Sequence, residues 1–342
     1  MKVAVYYNNK DIRIETMPKP VIGPGELLVR VDACGICGSD VMEWYRINRT
    51  PLILGHEIAG EIIEVGKGLT KYKKGQRITA SHHVPCNTCH YCLTGHHTMC
   101  ETLLKTNFYP GGFSEYLRLP VINVDRGVYP IPNEVTLEEA TFTEPLACVL
   151  RGQRFAQIRP NLNILVIGCG IAGLLHIQLA RSMGADRIIA TDINDYRLKK
   201  ALKFGADAAF HASEDIVKKL NDANNGMLAD RVIICASAKT AILQALKSIE
   251  RGGTVLLFAT PEPGISIPIS FNEFFWRKET TLTSTYAGSP ADHLIALQFI
   301  RSNIINVKDM ITHKFGLNQI GMGFQLVTNP KNSMKVIIEP HK

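Results

Sequence analysis

The sequence predicts a two-part α/β chain: a mainly β first part, then a doubly wound parallel sheet. Three observations carry this. Up to residue 119, short runs alternate apolar and polar residues between Gly and Pro. Near residue 140 the texture changes, and strand and helix patterns take turns. At the first of those strand-to-helix junctions stands GCGIAG, glycines 168, 170 and 173.

In the first part, 2–7, 11–17, 26–33, 58–65, 76–81 and 113–119 read as strands, which suggests a distorted barrel or sandwich. The segment EEATFTEPLACVLRGQRFAQI reads as helix. Strands then fit 163–168, 187–192, 207–212, 230–236, 253–259 and 280–286. Helices fit 171–183, 194–204, 214–223 and 239–250 between them. Alternating βαβ units imply a parallel sheet covered on both faces. From about residue 290 the texture is mixed again, with a helix at 291–302 and a last strand at MKVIIEP. This tail is expected to rejoin the first part.

The 342 residues leave room for two domains, and 46% apolar residues supply a sizeable core. The net charge of +7 is spread along the chain, with no dense Lys/Arg run of the kind that binds nucleic acid. The N-terminus lacks the apolar core of a signal peptide. The most apolar stretch, ILVIGCGIAGLL, is shorter than the roughly 18 residues a membrane span needs. A cytoplasmic protein with no membrane or nucleic-acid partner is expected. Nine cysteines in such a chain favour metal ligation over disulfides.

Cys37 to Glu57 offers a thiolate at Cys37, an imidazole at His56 and a carboxylate at Glu57. Glu144, in TEPLA, is a second candidate carboxylate. Those donor types hold zinc while leaving one position open for an alcohol or carbonyl oxygen. Zinc-bound alcohol loses its proton near neutral pH, and Ser39 or Glu144 is placed to take it. Cys34 beside them reads as core. Cys86, Cys89, Cys92 and Cys100, in CNTCHYCLTGHHTMC, have the spacing of a closed four-thiolate zinc site. His96 and His97 within that loop read as surface residues, and His82 and His83 before it as structural.

GCGIAG follows the strand NILVI and opens an apolar helix, the context that a dinucleotide turn requires. Gly168, Gly170, Ile171, Ala172 and Gly173 are the candidate contacts to a pyrophosphate. Asp192 ends the next strand, 19 residues after Gly173, where a carboxylate binds ribose hydroxyls and repels a 2′-phosphate. NAD is therefore expected over NADP, with Arg197 close by.

With GICGSD, GHEIAGEI, GGFSEY, EPLA, TDINDYRL, RKETTL and KVIIEP in place, the whole chain resembles the zinc-dependent medium-chain alcohol dehydrogenases. It is most similar to the sorbitol-type polyol and threonine 3-dehydrogenase branches. The resemblance implies a chaperonin-10-like catalytic domain over 1–141 and 290–342 and a Rossmann domain over 142–289. It implies two zincs per chain, with Cys37, His56 and Glu57 on the catalytic one and Glu144 as relay or exchanging ligand. Asp192 and Arg197 would meet the adenosine ribose, and a homodimer or homotetramer would form through the Rossmann sheets.

Two departures stand out. Met42 occupies the position where the family carries a relay histidine, so the proton must leave through Ser39, Glu144 or water. The strand TTLTSTYAGS lacks the substrate arginine of sorbitol-type enzymes. The expected reaction is reversible hydride transfer between NAD and a secondary alcohol on a polyol, sugar derivative or amino alcohol. A phosphorylated polyol is the alternative if Arg46 and Arg49 meet a phosphate rather than solvent.

Overall fold

The computed structural model describes all residues, 1–342. In chain order, β1 (Lys2–Asn8), β2 (Asp11–Thr16), β3 (Leu27–Gly35), β4 (Leu52–Ile53), β5 (Glu57–Val65), β6 (Arg77–Ala80), β7 (Tyr116–Leu119) and β8 (Val128–Pro130) come first. Helix α1 (Thr143–Phe155) follows. Then β9 (Asn163–Ile167), α2 (Ile171–Ser182), β10 (Arg187–Asp192), α3 (Asp195–Lys203), β11 (Ala208–His211) and α4 (Ile216–Ala223) alternate. They continue into β12 (Ala229–Ile234), α5 (Lys239–Lys247), β13 (Ile249–Leu257) and β14 (Thr281–Ser284). The chain closes with α6 (Pro290–Arg301), β15 (Ile311–Gly316), α7 (Ile320–Thr328) and β16 (Lys335–Glu339).

Two compact units result: Met1–Ala147 with Ala287–Lys342, and Cys148–Tyr286. In the first, β15, β16, β3, β5, β6 and β8 form one sheet in that order, with β7 also on β3, and β2, β1 and β4 form a second. Strand β3 reads LLVRVDACG and is almost wholly buried, as a strand paired on both sides must be. Leu27, Val29, Val31, Ile58, Ile62, Ile78 and Val336 form its core with no exposed surface. The three ends that matter here, the C-terminus of β3 and the N-termini of β5 and β16, are brought together by pairing. Gly35 lies opposite both Glu57 and Ile337.

The second unit is one parallel sheet in the order β11-β10-β9-β12-β13-β14. Counting from β9, that is 3-2-1-4-5-6, the doubly wound order whose direction reverses beside the first strand. All five residues of β9 are buried, which explains why NILVI is a continuous apolar run.

Some elements differ from the pattern reading. The expected helix around residues 138–158 is two pieces: a four-residue turn, Leu137–Ala140, closed by a Thr136–Glu139 capping box, and then α1. Helix α5 stops at Lys247 rather than running to 250, because Ile249 pairs with Ala229 and opens β13. Strand β15 and helix α7 lie where the sequence pattern shows no regular element. Helix α7 carries two glycines, so it owes its helix to packing: Phe324 sits against Tyr6 and Phe113 at 5.8 and 5.9 Å. No helix is long and apolar enough to cross a membrane.

Candidate active site and metal centres

Cys37 follows β3 and is the N-cap of a short 3-10 turn, Gly38–Val41. Its main-chain N–H donates to Asp40 Oδ2 at 3.0 Å, while its Sγ accepts from the Ser39 N–H at 3.4 Å. The sequence CGSD thus folds as a capping box with sulfur in place of the usual hydroxyl. Gly55 precedes His56 with φ +92°, and a Cβ there would stand 2.7 Å from the Phe113 nitrogen. Only glycine lets the chain turn at that point to enter β5.

The donor atoms of Cys37, His56 and Glu57 lie within 4.8 Å of one another. One ion with bonds of about 2.0–2.3 Å bridges such a set after small side-chain adjustments, and thiolate, imidazole and carboxylate are the donors zinc takes. Glu144, 8% exposed, is not among these converging side chains, although its charge is felt at Lys335.

Each donor is held from behind. His56 Nδ1 stands 3.4 Å from Asp40 Oδ1, which leaves Nε2 as the metal-facing nitrogen. Burial works against a charged His56, yet Asp40 and Cys37 hold its pKa well above the usual imidazole range. Asp40, fully buried, is penalised by burial, but His56, Arg46 and the Cys37 N–H keep its pKa below the usual value. Glu57 is paired with Lys335 Nζ, both 1% exposed, and Lys335 also donates to the Ile36 carbonyl at 3.3 Å. Burial would lower the Lys335 pKa; Glu57 and Cys37 outweigh it and raise it. Gly35 makes room for this pair, since a Cβ there would lie 2.1 Å from Glu57 Oε2.

Ser39 is half-buried beside the thiol and donates from Oγ to Cys37 Sγ at 3.4 Å. Met42 caps the same turn and brings no titratable atom. Arg46 is not a solvated loop charge: its side chain is 14% exposed and bonds to Ser39. Arg49 is exposed. His82, expected to be structural, stands with its ring 4.8 Å from His56 and 3.8 Å from His83. Burial first, then neighbouring positive charge, pushes the His82 pKa well below its ordinary value. Cys34 is fully buried core.

Cys86, Cys89, Cys92 and Cys100 also converge within 4.8 Å. Cys86 Sγ lies 3.9 Å from Cys92 Sγ, and Cys89 Sγ 3.6 Å from Cys92 Sγ. Main-chain N–H groups of Thr88 and Cys89 point at Cys86 Sγ, and that of Cys86 at Cys100 Sγ. Bonds from Thr88 and Cys89 draw the Cys86 thiol down to about 5, whereas burial and the neighbouring Cys89 push the Cys92 thiol up to about 12. No cysteine of the chain is in a disulfide. His96 and His97 stay outside the set.

In the second unit, Gly168 has φ +94° and turns the chain from β9 into α2, whose N-cap is Gly170. A Cβ on Gly173 would meet the Gly168 carbonyl at 1.9 Å, so the third glycine permits the close helix-to-strand contact. Ile171 and Ala172 are the first two residues of α2, half-buried, with N–H groups at the free helix end. Asp192 ends β10; its Oδ2 accepts from the Cys169 N–H at 2.7 Å and its Oδ1 from the Asn194 N–H at 2.9 Å. Arg197, on α3, has Nη1 4.0 Å from Asp192 Oδ2. The structure therefore brings Gly168, Gly170, Gly173, Asp192 and Arg197 to one loop cluster.

The alcohol dehydrogenase GroES-like domain matches residues 23–133, and the zinc-binding dehydrogenase domain matches residues 172–302. The L-threonine 3-dehydrogenase of Bacillus licheniformis is 31% identical over 332 residues, 95% of this chain and 94% of its own. The sorbitol dehydrogenase of Bacillus subtilis is 30% identical over 357 residues, 100% and 98% of the two chains. Among solved structures, a Sinorhizobium meliloti protein described as a zinc-binding dehydrogenase bound to NADP superposes with a TM-score of 0.87, at 27% identity over 99% of both chains. The chain belongs to the zinc-binding alcohol dehydrogenase family. It is an oxidoreductase of that family, and the family works with zinc and a nicotinamide coenzyme.

Proposed function

We propose that this chain oxidises a secondary alcohol on a polar substrate, a polyol, sugar derivative or amino alcohol, with NAD, and runs the reverse ketone reduction. The observation that carries this reading is the ligand set Cys37–His56–Glu57 with Lys335 locked behind the carboxylate. A carboxylate in place of a second thiolate makes the surroundings of the reacting oxygen polar. Sorbitol is a polyol and threonine carries a secondary hydroxyl, so the relatives of this chain point the same way. A zinc ion held there would supply Lewis acidity and lower the pKa of a ligated hydroxyl.

The protein's own groups do the rest. Asp40 orients His56, Lys335 fixes Glu57, and Glu144 supplies a carboxylate that can receive a proton. Residues 142–289 serve as the coenzyme domain, with 1–141 and 290–342 as the catalytic one. Gly168 to Gly173 cradle the pyrophosphate, and Asp192 accepts from the ribose hydroxyls. Cys86, Cys89, Cys92 and Cys100 hold a structural zinc. Arg46 is engaged by Ser39 and Asp40, which leaves the phosphorylated-substrate reading with the exposed Arg49 as the uncommitted one of its two cations.

We also infer a homodimer or homotetramer in the cytoplasm. Strand β14 is one of the two edges of its sheet, and Phe271 and Trp276 shortly before it are 77% and 66% exposed. Light scattering behind a sizing column reads the assembly state. The function itself is tested by following NADH absorbance across polyols, inositols, sugar phosphates and amino alcohols. Turnover of apolar primary alcohols alone would refute it.

A further inference from the structure

Arg46 Nη2 donates to Ser39 Oγ at 3.3 Å, and its Nε to the Ser39 carbonyl at 3.1 Å. The same guanidinium stands 3.9 Å from Asp40 and 4.6 Å over the Tyr45 ring, so it is clamped from three sides. The Ser39 hydroxyl has one proton, pointed at Cys37 Sγ, and two lone pairs, one of them taken by Arg46.

A hydroxyl relays a proton only if a group beyond it accepts one. Beyond Ser39 stands a guanidinium, which has five N–H donors and no lone pair to offer. Met42, on the same turn, offers only a thioether. Neither of these side chains can take a proton from Ser39. What Ser39 can do is turn its own O–H from Cys37 Sγ to an oxygen bound beside it. The Arg46 bond polarises that O–H and makes it a stronger donor.

We propose that Arg46 is a positioning residue that makes Ser39 a hydrogen-bond donor to the substrate oxygen. The proposal rests on the alcohol-oxidation reading above. The alcohol O–H bond breaks, its electron pair stays on oxygen under the Ser39 donor, and its proton passes to Glu144 or to water.

The test is a double-mutant cycle with R46M, S39A and the double variant, with R46K as the conservative change. All are assayed as zinc-loaded full-length protein with the best alcohol from the panel. R46M should lower kcat about tenfold with KM changed less than about threefold, because a lost transition-state donor affects the chemical step. The double variant should match S39A within about twofold, and R46K, still a pure donor, should stay within about threefold of wild type.

A second readout needs no turnover. In cobalt-substituted protein the cysteine-to-metal charge-transfer band should move to longer wavelength in both S39A and R46M, with no further move in the double. Additive kcat losses, wild-type kcat in R46M, or an R46M whose only defect is lost metal or a lowered melting temperature would each overturn the proposal. Failure of the whole polar panel sinks the substrate reading instead. The cobalt band still judges Arg46 in that case.

Discussion

The two metal-ligand clusters of the first unit solve one chemical problem in opposite ways. The four cysteines come from a single loop, 86 to 100, and lean on a small core of their own around Leu103. Main-chain N–H groups of the same loop aim at the sulfurs, so everything the site needs is local. The Cys37–His56–Glu57 set is assembled from the ends of two strands, and its supports come from farther still. Lys335 reaches Glu57 from 278 residues away. A closed set of four thiolates leaves no room for a substrate, whereas a set of three with charged supports leaves a position open and tunes it.

The largest effect expected from this contrast is a split between activity and folding. Cys37→Ala removes a donor from the open set and should cut turnover by about a thousandfold or more while the melting temperature barely moves. Cys86→Ala opens the closed set and should lower the melting temperature by about 10 °C or more, since structural metal binding is folding energy. Zinc analysis should find one ion per chain in each variant and two in the wild type. Two variants equally stable and equally active would break the comparison outright.

Next in size is the ion pair that only the open site possesses. Lys335→Met leaves the buried Glu57 carboxylate with only the metal ion as counter-charge, which should cost up to about 3–5 kcal/mol in denaturant unfolding. Lys335→Arg keeps the charge and should recover part of that. If Lys335→Met is as stable as wild type, the carboxylate is compensated by something other than this lysine.

The same contrast explains what could be read from the chain. Four cysteines at C-x-x-C spacing are legible because their geometry is nearly a local property. GCGIAG is legible for the same reason: strand, turn and helix are consecutive. Cys37, His56 and Glu57 could be named from residue type. Their supports could not, since a lysine opening the apolar run KVIIE looks like the edge of a strand until pairing places it against Glu57. Arg46 likewise reads as a loop charge until the turn folds it back on Ser39. Helix α7 was invisible for a further reason: its glycines hide the period, and only tertiary contacts of Ile320 and Phe324 sustain it.

The coenzyme unit supplies a smaller prediction that sharpens the difference between local and assembled sites. Asp192 is held by the glycine loop's own Cys169 N–H, and in the proposed reading its carboxylate is the group that meets a ribose hydroxyl and repels a 2′-phosphate. Wild type should favour NAD over NADP. Asp192→Ser, with Arg197 left beside it, should shift the ratio of kcat/KM toward NADP by roughly 10–100-fold. An unchanged ratio would take cofactor choice away from Asp192.

The smallest expected effect isolates a group that belongs to neither metal cluster. His176, on α2, is fully buried; Gln153 Nε2 donates to its carbonyl at 2.7 Å and lies 3.3 Å from its Nδ1, while Phe258 packs edge-on at 4.6 Å. Burial pushes its pKa down to about 3. The unfolded chain protonates this histidine near pH 6.5 and the folded one does not, so stability is lost as pH falls below that value. At pH 5.5 the loss should be about 1.4 kcal/mol. Acid also protonates the cysteine, histidine and carboxylate donors, so wild type alone cannot separate the two causes. His176→Leu keeps the packing and the Gln153 bond to the main chain. The wild-type advantage over it, measured by denaturant unfolding, should shrink by about 1.4 kcal/mol between pH 7.5 and 5.5, because every other titration cancels in the difference. A constant difference would assign the whole acid response to the metal donors.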